Sequence, residues 1–140
     1  MLLNCYHLVI LTNFETISPF LSSIIIGLLF IAIGIYHFVN PTFFVKIVPD
    51  YIPNHKAMVF WSGVAEVVGG IGIMIPQTKT YAGWGLILLL IAVFPANIDM
   101  FIKAYQKHGM TTYTWLTLLR LPLQFILIYW VFWATELKIG

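Results

Sequence analysis

Four apolar runs of about twenty residues, each closed by a proline or a short polar turn, fill most of this 140-residue chain. A run of that length crosses the hydrocarbon core of a bilayer as a helix and satisfies its own backbone where no water is available. The runs lie at about 18–39, 57–75, 80–101 and 113–135. The first, "SPFLSSIIIGLLFIAIGIYHFV", is stopped by Asn40-Pro41, and the second ends at Pro76. Short connections between them predict an all-α, integral membrane four-helix bundle in up-down-up-down order.

Composition supports that reading, because only 9% of residues are charged against roughly a quarter in soluble domains, and mean hydropathy is +0.95. Four spans leave no room for a soluble catalytic domain, so residues 18–140 are expected to form one transmembrane domain. Residues 1–17 lack the basic start of a secretory signal and read as an interfacial lead-in. The net charge of +2 comes from scattered Lys and Arg, which argues against nucleic acid as a partner. A lone cysteine, Cys5, excludes an internal disulfide or a CxxC redox pair.

The longest connection, "NPTFFVKIVPDYIPNHK", is expected to hold a short interfacial helix opening at Pro41. Phe43, Phe44, Ile47 and Val48 would fall on its apolar side, with Lys46 and Asp50 in water. Trp and Tyr cluster near the span ends, as anchors of an aromatic belt do. Lys46, Lys56, Lys103 and Lys107 belong to loops one and three, against Lys79 and Lys138 opposite. The positive-inside rule then places loops one and three in the cytoplasm.

The polar residues inside the spans concentrate in one half of the bundle. Glu66 lies about 14 Å from the loop-one end of its span, and Arg120 about 10 Å from the loop-three end of its own. Those ends face the same side, so a Glu66–Arg120 salt bridge is expected, provided the second and fourth spans are neighbours. His37, Asn97 and Asp99 belong to the same half, as does Gln124, one turn beyond Arg120. Pro95 and Pro122 each remove a backbone donor and free the carbonyls of Ile91 and Leu118. Gly63 and Gly70 share a face of small residues with Glu66, and Gly34 shares one with His37, which lets helices approach closely. Glu66 is therefore expected to face the bundle interior.

Each of these groups also has a packing role open to it. The charge pair can simply order helices, His37 can be a satisfied hydrogen-bonding group, and Asn97 and Asp99 can cap loop three. No His, Cys and carboxylate set recurs at ligand spacing, so no metal is expected; His7, His55 and His108 are scattered. No Ser or Cys nucleophile stands with a partner base, and "GGIG" lacks the context of a nucleotide loop.

The blocks "YHFVNPTFFVKIVPDYIPNHK", "SGVAEVVGGIGIMIP", "AGWGLILLLIAVFPANIDM" and "RLPLQ" together resemble the DoxX-like family of small bacterial four-helix membrane proteins. The resemblance runs from about Gly34 to Gln124 and rests at pattern level on His37, Pro41, Glu66, Gly70, Pro95, Asn97, Arg120 and Gln124. It implies a multi-pass protein of the bacterial inner membrane. That family takes its name from a subunit associated with a quinone-reducing thiosulfate oxidoreductase; other members are linked to oxidative-stress complexes, and distant relatives act as receptor-assembly chaperones.

The expectation is therefore a non-catalytic or accessory membrane subunit that docks a redox partner or binds a lipid-soluble ligand such as a quinone. Two alternatives stand beside it. One is a small proton-coupled transporter using Glu66, which would need a homo-oligomer; the other is an assembly factor without ligand.

Overall fold

A computed structural model describes the backbone of residues 2–137 and the side chains of residues 18–137. The packing expected of the lead-in, residues 1–17, and the position of Lys138 lie outside the described residues.

The described chain is all-helical. Helix α1 (Leu2–Val39) runs without a break through Pro19 and ends where Asn40, pushed out of the helical region by the following proline, turns the chain. Pro41 then opens α2 (Pro41–Val45), since a first-turn residue has no use for the donor that proline lacks. The short helix expected in loop one is present, a little over one turn long. Helix α3 (His55–Met74) follows Asn54, which takes the left-handed conformation at φ 60° that Asn tolerates better than most residues. A tight turn at Pro76, braced by the Thr78 hydroxyl donating to the Gly72 carbonyl at 2.8 Å, leads into α4 (Lys79–His108). Gly109, at φ 63°, ends α4, and Thr111 caps α5 (Thr112–Ala134).

All four long helices are apolar and long enough to cross a membrane. Their boundaries match the sequence reading except that α1 starts at Leu2, not near residue 18, and α4 continues through residues 102–108. Nothing between Phe101 and Gly109 breaks a helix, so hydropathy falls while helical structure persists.

The long helices close a ring in which α1 packs on α3, α3 on α4, α4 on α5, and α5 back on α1. Helices α3 and α5 therefore occupy opposite corners. The tightest contact is α1 against α3, where Gly27 meets Gly70 and Gly34 meets Gly63. A Cβ added at Gly70 would lie 2.6 Å from the Gly27 carbonyl oxygen, and one at Gly34 would lie 2.8 Å from that of Gly63. Only a missing side chain permits that approach.

The buried apolar core, with Ile26, Phe30, Ile73, Leu86 and Val131 at its centre, fills the half of the ring near the α3–α4 turn. Outward faces are apolar too: Leu28, Val68, Leu88 and Ile126 are all more than half exposed. The other half, towards α2 and the α4–α5 turn, holds the polar residues of the apolar helices singled out from sequence.

Candidate functional site

The glycine contact between α1 and α3 decides what Glu66 meets. Glu66 sits between Gly63 and Gly70 on the face of α3 turned to α1, where His37 lies one turn beyond Gly34. His37 Nδ1 is 3.1 Å from Glu66 Oε2 and 2.9 Å from the Ile33 carbonyl oxygen. Both neighbours are acceptors, so Nδ1 carries the proton; it donates to the Ile33 carbonyl, while Glu66 Oε2 lies close by without a well-directed hydrogen bond. Phe44 of α2 stacks flat on the imidazole, ring centroids 3.6 Å apart. Side chains of His37 and Glu66 are only 9% and 12% exposed.

The expected Glu66–Arg120 bridge does not form. Its premise was that the second and fourth spans are neighbours, whereas α3 and α5 are diagonal in the ring. Depth along the helices was right and adjacency was not.

Arg120 instead projects from α5 with the Met100 sulfur as its hydrogen-bond acceptor, at 3.5 Å. Among the described residues no carboxylate lies within ion-pair distance of it. Gln124, one turn on, is buried and committed to α4: its amide nitrogen donates to the Leu90 carbonyl, and its oxygen accepts from Asn97. The polar link falls one residue before the carbonyl that Pro95 frees, so α5 braces α4 beside the position where proline removes a backbone hydrogen bond. Pro122 lies between Arg120 and Gln124 on the same helix.

A cleft of about 520 Å³ opens beside these groups, between α1 and α2 on one side and α4 and α5 on the other. Arg120, Asn97 and Gln124 supply its polar edge, and Ile33, Phe44, Val93 and Leu123 its apolar walls. Such a shape, apolar with a few convergent donors at one end, suits a small amphipathic ligand. A second cavity of about 590 Å³ lies across α1, between α2 and the start of α3, and His37 reaches its wall.

Asp99 belongs to neither pair. Lys103 Nζ is 2.8 Å from Asp99 Oδ2 and 2.8 Å from Asp50 Oδ2, so one ammonium ties the loop after α2 to the last turns of α4. Loops one and three therefore share an end, as four alternating helices require; Lys79 and Glu136 pair at the other. Lys103 holds the Asp50 carboxyl below its usual range. A lowered folded-state pKa means the tether is complete above the ordinary carboxylate value, about 4, and is lost as pH falls through the lower one. Hydrogen exchange in residues 46–54 is expected to rise as pH drops below about 4, after correction for intrinsic rates, and to be high already at neutral pH in Asp50→Asn.

The six polar residues thus resolve into a His37–Glu66 pair, an Asn97–Gln124 pair, an Asp99–Lys103–Asp50 bridge and a separate Arg120. Phe44 and Lys103 were not singled out from sequence as site residues, although "NPTFF" marks the turn that returns Phe44 to α1. His37 and Glu66 are two metal-ligating types without a third beside them among the described residues.

Residues 26–135 match the model of a domain of unknown function, DUF8561. The chain belongs to the DUF8561 family. The match begins within α1 and ends at the close of α5, so the later part of α1 together with α3, α4 and α5 forms the DUF8561 unit, and residues 1–25 precede it. No curated protein and no solved structure matches the sequence significantly.

Proposed function

We propose that this DUF8561 protein is a multi-pass protein of the bacterial inner membrane, accessory to a redox system, that binds a lipid-soluble carbonyl ligand of the quinone class. The site is the cleft between α1, α2, α4 and α5. One observation carries the reading: Arg120, within a helix fit to span the bilayer, has only a thioether as acceptor among the described residues and lines an apolar cleft of about 520 Å³.

A guanidinium in hydrocarbon is costly, by about 2.5–3.5 kcal/mol on insertion scales, and sulfur is a weak acceptor. A quinone carbonyl would accept from Arg120, while Phe44 and the aliphatic walls would flank the ring. Asn97 has its amide nitrogen engaged, which leaves Arg120 as the principal donor. The DoxX-like resemblance across residues 34–124 supports a redox setting, and the lysine distribution supports placing loops one and three in the cytoplasm.

The test is the ultraviolet-visible spectrum and mass spectrometry of the organic extract of protein purified in mild detergent. Wild type should retain quinone near one per chain, and Arg120→Leu should lose at least about tenfold, equivalent to about 1.4 kcal/mol. Equal quinone content in a folded variant would sink the idea.

His37 and Glu66 support a second reading, a proton-coupled carrier. The imidazole touches the carboxylate on one side and the 590 Å³ cavity on the other, an arrangement through which a proton could reach Glu66.

A further inference from the structure

A third cavity, of about 510 Å³, lies at the loop-one and loop-three end, between the segment at α2 and the junction of α4 with α5. Its charged lining is almost all of one sign. Lys46, Lys103, Lys107 and His108 converge on it from two separate segments of the chain. Lys103 is consumed by Asp50 and Asp99, which leaves that triad one charge negative. Lys46 and Lys107 have no carboxylate within ion-pair distance among the described residues, so the cluster is net positive even with His108 neutral.

Phe43, Ile47, Met100 and Ala104 form an apolar floor below the basic rim, and Thr111 and Tyr113 complete the lining. Phe43 also lines the cleft beside Arg120, and Met100 holds Arg120, so this floor continues towards the exposed apolar flank of α4 and α5. The cavity therefore joins a cationic rim to a surface suited to hydrocarbon.

We infer that this cavity is a binding site for the phosphate headgroup of an anionic phospholipid, with Lys46 and Lys107 as the charge partners and the acyl chains laid along α4 and α5. Basic pockets between spans at the cytoplasmic face are where anionic headgroups bind, each Lys near the surface contributing about 1 kcal/mol. The inference rests on the membrane placement proposed above and not on the quinone reading. Asp50 and Asp99 set the geometry: by neutralising Lys103 they draw loop one against α4 and leave the other two lysines to the ligand.

The test uses full-length protein extracted in mild detergent, exchanged into mixed micelles with phosphatidylglycerol or phosphatidylcholine and observed by native mass spectrometry. Wild type should retain phosphatidylglycerol at least tenfold better than phosphatidylcholine. Lys46→Gln with Lys107→Gln should remove that preference, whereas Lys56→Gln, which removes a charge at the start of α3 outside this cavity, should keep it. Equal retention of both lipids by wild type, or an undiminished preference in the double variant, overturns the inference. Displacement of the lipid by inorganic phosphate at constant ionic strength would assign the cavity to a soluble phosphate and also overturn it. A protein that leaves its membranes without detergent would instead overturn the membrane placement, a failure that the extraction step shows separately.

Discussion

Gly70→Val should abolish the native bundle. A Cβ at residue 70 would stand 2.6 Å from the Gly27 carbonyl oxygen and 3.1 Å from the Ile31 backbone nitrogen, both rigid parts of a helix. Overpacking costs about 1–3 kcal/mol where side chains can move aside; here the obstacle is backbone, so α1 and α3 must separate along the whole contact. Helix propensity acts in the opposite sense but supplies about 1 kcal/mol or less. Separation would also pull His37 from Glu66, because the same contact registers that pair. The control is Gly85→Ala in α4, where an added Cβ meets nothing within 4 Å and propensity alone should stabilise by up to about 1 kcal/mol. Thermal unfolding in mild detergent should show Gly70→Val with its cooperative transition lost and Gly85→Ala at or above wild type. A native-like transition in Gly70→Val would mean that the helices do not cross at this distance.

These glycines also explain how far the sequence could be read. Proline and asparagine stops delimit the helices, and recurrence of small residues every three or four positions identifies the close-packing faces of α1 and α3. That much is local. Which face meets which is not local, because Glu66 and Arg120 have compatible depths yet stand at opposite corners of the ring. The decisive hint was present in the spacing: Gly27 to Gly34 equals Gly63 to Gly70, so two matched seven-residue steps belong against each other in an antiparallel pair. They bring α1 and α3 close enough, on the face that carries both side chains, for His37 and Glu66 to meet. The last seven residues of α4 escaped for another reason. Hydropathy marks where a chain leaves the apolar layer, and α4 continues through Lys103 and Lys107 until Gly109 stops it.

His37→Ala should destabilise the protein by about 2–3 kcal/mol, the upper part of the range for stranding a buried acceptor, whereas Glu66→Gln should cost about 1 kcal/mol or less. The asymmetry follows from what each change leaves behind. Without Glu66, the Nδ1–H of His37 still has the Ile33 carbonyl at 2.9 Å. Without His37, the buried Oε2 of Glu66, which has no well-directed hydrogen bond even in the native protein, loses the nearby Nδ1–H at 3.1 Å, and the stack of Phe44 on the imidazole is lost as well. The double variant His37→Ala with Glu66→Gln should recover most of the loss, since a neutral amide demands less of that site than a carboxylate. Unfolding free energies for the four proteins in one detergent give the coupling directly. The same variants separate the packing role from the proton role. If the pair only orders α1 and α3, Glu66→Gln in liposomes leaves transport and cellular activity intact. If Glu66 exchanges a proton, the well-folded Glu66→Gln protein loses pH-driven flux, because an amide cannot titrate. Equal costs for the two single substitutions would show that His37 and Glu66 depend on each other symmetrically, against the geometry that gives His37 a second acceptor and leaves Glu66 without a second donor.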